Sequence, residues 1–183
     1  MTRITALNPA DAPATAQPML AAVKAKLGMV PNLFKTFAHS PAVLQFYLSG
    51  SEALAGASIS AALREQIALT TAGENDCNYC ASAHTLMGKG AGVAADELAA
   101  NLRGQSSDSK THAALSFVKV IVAKRGRVSD ADLANVRAAG YSDAEITEIV
   151  ATVAANIFTN YFNHIADTAV DFPLVHATSL EAA

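Results

Sequence analysis

The sequence predicts an all-α fold, a compact multi-helix domain that assembles with copies of itself. Three observations predict it. Of 183 residues, 51% are hydrophobic, and much of that share is alanine, which favours helices and close helix packing. No segment shows the period-two alternation of a half-buried strand. Capping residues and glycines punctuate the chain at helix-length intervals.

Taken in order, a first helix is expected from Asp11 to about Leu27, ending before Gly28, and a short helical turn from Pro31 to about His39. Ser40 and Pro41 read as N-cap and first helical residue of a helix to about Ala55. Ser60 caps the next, which carries Glu65, and another runs from about Cys77 to Lys89 before Gly90 and Gly92 break it. Ala94 to Leu102 makes a short helix ending at Gly104, followed by a polar loop at 105–108. Ser109 opens an apolar helix to Arg125, stopped by Gly126. Ser129 with Asp132, and Ser142 with Glu145, have capping-box spacing and start helices over Asp130 to Ala139 and Asp143 to Thr168. No repeat or linker interrupts the chain. It reads as a single domain over 1–183, with an N-terminal region (1–57) on a motif-bearing core (58–104) and C-terminal helices (105–183).

Composition narrows the function. A net charge of −3 without a basic cluster argues against nucleic acid. No apolar run reaches the roughly 18 residues of a membrane span, and the N-terminus lacks a signal peptide's apolar core, so a cytoplasmic location is expected. In that reducing compartment a Cys-x-x-Cys pair is more often catalytic or metal-binding than structural.

The only two cysteines, Cys77 and Cys80, lie three residues apart, with His84 one turn further on. At about 100° per residue all three project from one helix face. Cα atoms three residues apart in a helical turn are about 5–6 Å apart, within reach of an unstrained disulfide. Thiolate, not thiol, attacks a peroxide, so a functional pair needs a lowered pKa. Asn75 and Asp76 are good N-caps for a helix beginning at Cys77, whose positive end then faces the sulfurs. His84 can take the Cys80 proton, while a carboxylate at Asp76 disfavours charge on Cys77. Cys80 is thus the better nucleophile and Cys77 the resolving thiol. Glu65 lies on a largely apolar stretch. Either it orients and charges His84, or it joins Arg64 in a solvated cluster; the pattern does not choose.

The segment from Leu63 to His84, with Glu65, Cys77 twelve residues later, Cys80 three on and His84 four on, resembles the core of the alkylhydroperoxidase D-like proteins in the carboxymuconolactone decarboxylase superfamily. Gly28 to Phe34 with Ser40 and Pro41, and Asn156 to His164, resemble the longer peroxidase-related branch, so the likeness spans most of the chain. It implies Cys80 as peroxidatic thiol, Cys77 as resolving thiol, His84 as base and Glu65 as the end of a proton relay. It also implies dimers assembled into trimers or hexamers, no bound cofactor beyond the redox-active disulfide, and an external reductant, a lipoyl-bearing or thioredoxin-like dithiol. One position departs: the best-characterised branch has a second histidine where this chain has Tyr79, whose phenol is a poor base but a competent hydrogen-bond donor.

The resulting expectation is a peroxidase acting on hydrogen peroxide or an organic hydroperoxide. The alternatives are a protein disulfide oxidoreductase or redox sensor, a zinc site using Cys77, Cys80 and His84 with His164 or Glu65, and a decarboxylase-type enzyme. Asn156, Asn160, Asn163 and His164 form a polar stripe, read as helix-registering hydrogen bonds in preference to the lining of an active site or a subunit interface. Leu33, Phe34, Phe37 and Phe46 are read as core in preference to a substrate pocket. His39, His112 and His176 read as surface or packing residues.

Overall fold

The computed structural model describes residues 2–178. Among them are nine α-helices and no strand: α1 (Gln17–Leu27), α2 (Asn32–Phe37), α3 (Pro41–Ala55), α4 (Ala61–Glu74), α5 (Asn78–Gly90), α6 (Ala95–Asn101), α7 (Ser109–Ala123), α8 (Asp130–Ala138) and α9 (Asp143–Ala166).

Caps explain most boundaries. Ser40 Oγ accepts from Val43 N at 3.4 Å and Ser60 Oγ from Leu63 N at 3.1 Å, fixing the starts of α3 and α4. Both capping boxes form, at Ser129 with Asp132 and at Ser142 with Glu145.

Several boundaries differ from expectation, each for a local reason. The first helix starts at Gln17, not Asp11, because Ala12 precedes Pro13 and is extended at φ −70°, ψ 154°; Pro9–Asp11 forms only a 3-10 turn. Pro31 lies outside α2 as an extended residue at ψ 148°. Asp108, in the expected polar loop, is the N-cap of α7, its carboxylate accepting from Thr111 N at 2.7 Å. That helix stops at Ala123, and α9 ends where Asp167 turns left-handed at φ 49°. The thiol helix begins at Asn78, with Cys77 as its N-cap. Asn75 instead closes α4, and Asp76 makes the turn between the helices at φ 52°, so neither caps α5.

Helix α4 organises the rest. It packs against α5, α6, α7 and α9. Leu63 and Ile67 join a core with Leu115, Val118, Val136, Ile149 and Val153, contributed by α7, α8 and α9. Leu69 and Ala72 join a second core with Leu20, Phe37, Leu44 and Leu98, which also contains both cysteines. A Cβ at Gly73 would overlap the Leu102 carbonyl, so glycine lets the α6 end lie against α4.

After α9 the chain returns along α5. Val175 N donates to Ser82 Oγ at 2.9 Å, Ala177 N to Asn78 Oδ1 at 2.8 Å, and Thr178 Oγ1 to Asp76 Oδ1 at 3.0 Å. These bonds hold one side of the thiol helix while α9 covers another.

Gly73→Ala is expected to lower unfolding free energy by about 1–3 kcal/mol, read from a urea midpoint. The same change at Gly50, where an added Cβ meets nothing within 4 Å, is expected to leave the midpoint unchanged or raise it.

Candidate active site

Two helices and the turn before one of them converge on one sulfur. Cys80 is the third residue of α5, at the positive end of the helix, and is 2% exposed. Asn163 of α9 donates from Nδ2 to Cys80 Sγ at 3.3 Å, and the thiol faces Thr159 Oγ1 at 3.9 Å. Cys77, also 2% exposed and not in a disulfide, lies within hydrogen-bonding contact of it.

The two thiols are electrostatically unequal. Cys80 is lowered to about 6: Cys77 donates to it, burial opposes the charge, and the His84 charge and the Asn163 and Asn160 side chains favour it. Cys77 is pushed far up because its proton is held by Cys80 and its surroundings are dry. The cause of this asymmetry is not the one expected from sequence. Asp76 accepts the Thr178 hydroxyl and does not set the order; the neighbouring sulfur and burial do.

His84 Nδ1 meets Glu65 Oε2 at 2.7 Å, with side chains 14% and 21% exposed, so Glu65 is not in a solvated cluster with Arg64. Arg64 instead donates from Nη1 to the Ile59 carbonyl at 2.7 Å. Burial pushes His84 down, but the Glu65 charge and hydrogen bond, the Cys80 charge and the Asn156 side chain raise it overall. His84 and Cys80 therefore stabilise each other's charged forms.

Tyr79, at the position where the resemblance has a second histidine, bonds to α2. Its hydroxyl accepts from Leu33 N at 3.1 Å and its ring meets Phe172 edge-on at 5.6 Å. Burial pushes the phenol far up, against the Leu33 bond, with Asp171 adding to the rise. Asp171 Oδ2 in turn accepts from Asn32 N at 2.8 Å. Tyr79 and Asp171 thus satisfy the first N–H groups of α2, which Pro31 cannot cap.

The polar stripe of α9 divides. Asn163 donates to Cys80 and Asn156 stands beside His84, correcting their reading as register bonds alone; Asn160 makes a register bond, its Oδ1 accepting from Asn75 Nδ2 at 2.9 Å, while its Nδ2 is buried without a partner. His164 is exposed, its ring hydrogen-bonded to the Asn75 carbonyl at 2.8 Å, and does not join the site. Among the described residues, no group of three His, Cys, Asp or Glu is placed to hold a metal ion.

A cavity of about 620 Å³ opens beside the Glu65 and His84 pair, between α3, α4 and α9. Tyr47, Leu54, Ala68, Ala155 and Phe158 supply apolar wall. Leu33 and Phe37 are core, as expected, but Phe46 is 68% exposed and stands at this cavity, its ring edge-on to Phe158 at 5.8 Å. Tyr47, a lone polar aromatic on an apolar helix, gave no signal in the sequence.

Residues 41–123 match the carboxymuconolactone decarboxylase family. Among solved structures, the chain is similar to an uncharacterised peroxidase-related protein with an alkylhydroperoxidase core from Ralstonia eutropha JMP134. The TM-score is 0.83 at 24% identity, covering 93% of this chain and 92% of that one. A peroxidase-related protein from Silicibacter sp. TM1040 aligns with a TM-score of 0.80 at 25% identity, over 91% of each chain. A cysteine-to-alanine variant of the debrominase Bmp8, in complex with 2,3,4-tribromopyrrole, aligns with a TM-score of 0.80 at 22% identity, over 93% of this chain and 92% of that one. No curated protein matches by sequence. Among the described residues, no helix is long and apolar enough to cross a membrane.

Removing either support of the thiolate is expected to move its titration upward. Measured as the pH dependence of iodoacetamide alkylation, the Cys80 midpoint is expected to rise in Glu65→Gln, through loss of the His84 charge, and in Asn163→Leu, through loss of a direct donor. A depressed pKa leaves thiolate above the midpoint and loses it below. Both variants should therefore differ most from the unmodified protein between about 6 and their own higher midpoints.

Proposed function

We propose, from the match of residues 41–123 to the carboxymuconolactone decarboxylase family and the fold shared with peroxidase-related proteins, that the chain is a cysteine-based peroxidase reducing hydrogen peroxide or an organic hydroperoxide. The observation that carries this reading is the buried Cys80 thiol, lowered to about 6, in contact with a second thiol that keeps its proton. Cys80 thiolate attacks the terminal peroxide oxygen and becomes a sulfenic acid as the O–O bond breaks. The leaving oxygen takes a proton from the His84 imidazolium, which Glu65 orients through Nδ1. Cys77 then attacks the Cys80 sulfur, water leaves, and a disulfide remains for an external dithiol to reduce.

Both sulfurs are 2% exposed, which weighs against exchange with disulfides of globular proteins as the main activity. It favours a slender lipoyl arm over a thioredoxin-like surface as the reductant, acting in a reducing, cytoplasmic setting. Self-association is supported by Tyr161 and Ile165, which are 54% and 63% exposed one turn apart on α9.

A second reading is reductive removal of bromine from an aromatic ring by the same dithiol. The cavity of about 620 Å³ far exceeds what hydrogen peroxide needs, and a debrominase shares the fold.

Stopped-flow mixing of reduced protein with one equivalent of cumene hydroperoxide is the test. The expected result is disulfide formation orders of magnitude faster than oxidation of a free thiol, abolished in Cys80→Ser, with a trappable sulfenic acid in Cys77→Ser. Oxidation at the free-thiol rate sinks the peroxidase, and consumption of a bromopyrrole under those conditions supports the second reading.

A further inference from the structure

The cavity holds one polar group that the chemistry above leaves unused. Tyr47 of α3 lines it together with Glu65 and His84. Its ring is fixed by aromatic neighbours, with centroids at 5.6 Å from Phe34, 5.4 Å from Phe37 and 6.5 Å from Phe158. Among the described residues its hydroxyl has no hydrogen-bond partner. Tyr47 is partly buried and its oxygen is not sealed in the core, so the hydroxyl opens to the cavity and not to a protein partner. Phenylalanine would pack equally well, so packing does not account for the oxygen.

We propose that Tyr47 is a further catalytic residue, donating a hydrogen bond from its hydroxyl to the leaving oxygen of a hydroperoxide held in this cavity. This inference rests on the peroxidase reading. Attack by Cys80 forms an S–O bond and breaks the O–O bond, oxidising sulfur by two electrons and reducing the peroxide by two. The electron pair departs on the alkoxide oxygen. His84 supplies the proton that turns alkoxide into alcohol, and Tyr47 keeps its own.

The division of labour follows from how His84 is held. Its Nδ1 is engaged by Glu65 at 2.7 Å, so the imidazolium is oriented before substrate arrives. A neutral donor aimed at the developing charge adds stabilisation without another charge in the pocket. Burial and the negative charges of Cys80 and Glu65 push the Tyr47 phenol far up, which keeps it protonated and places it within the field of both groups. A hydroxyl acting this way contributes only when negative charge develops on a leaving oxygen.

That condition gives the test. In Tyr47→Phe, the second-order rate constant of reduced protein with cumene hydroperoxide is expected to fall by about tenfold or more. The rate with iodoacetamide, which attacks the same sulfur but releases iodide, is expected to stay within twofold, as is the pH midpoint of alkylation. The unchanged alkylation also reports an intact thiol site, separating loss of the donor from misfolding. With a peracid, whose carboxylate leaving group needs little help, the defect is expected to shrink. Equal peroxide rates in Tyr47→Phe and the unmodified protein would overturn the assignment, as would parallel losses toward peroxide and iodoacetamide. Slow oxidation of the unmodified protein is a different failure, that of the peroxidase reading itself.

Discussion

The Cys80 sulfur is 2% exposed and still ionises near about 6, and holding that charge out of water dictates what surrounds it. Bringing a thiol from 9.0 to about 6 takes about 4 kcal/mol of preferential stabilisation of the anion, before desolvation is counted. One hydrogen bond to a charged group is worth about 1.5–3 kcal/mol, so no single donor suffices. The structure answers with several, and they come from different elements: Cys77 from the turn before α5, Asn163 from α9, the positive end of α5, and the imidazolium of His84. Most of the donors are neutral, so they support one negative charge without supplying a competing base.

This requirement reaches into the fold. Asn163 can serve the sulfur only if α9 lies against the first turn of α5, and α4 packs against both helices. The turn between α4 and α5 is short, with Asp76 at φ 52°, and Asn75 is tied to Asn160 at 2.9 Å. That contact registers α9 on the turn, one α-helical turn from the Asn163 donor. Behind α5, the returning chain bonds Ser82, Asn78 and Asp76, leaving Cys80 to face α9 and His84 to face the cavity.

Much of this was legible in the sequence because it is local. Ser40, Ser60, Ser129 and Ser142 cap helices through bonds made within three residues, so the cap pattern alone placed those starts. The grouping of the thiols with His84 follows from helix periodicity. What escaped depends on partners distant in sequence. Tyr79 was ambiguous because its partners, Leu33 and Phe172, lie outside the motif. Pairing of Glu65 with His84 needed α4 and α5 side by side, and the asparagines of α9 could not be divided between register and site without knowing which face meets α5. Asp76 misled, because proximity in sequence to Cys77 says nothing about where its carboxylate points.

The claim underneath the account is that one thiol of the pair is charged near neutrality and its neighbour is not. Carbon-13 NMR titration of the reduced protein, labelled at the cysteine Cβ positions, tests it directly. The account predicts that Cys80 titrates near about 6 while Cys77 shows no ionisation until far into the alkaline range. Two cysteines titrating together near the ordinary thiol value would contradict it.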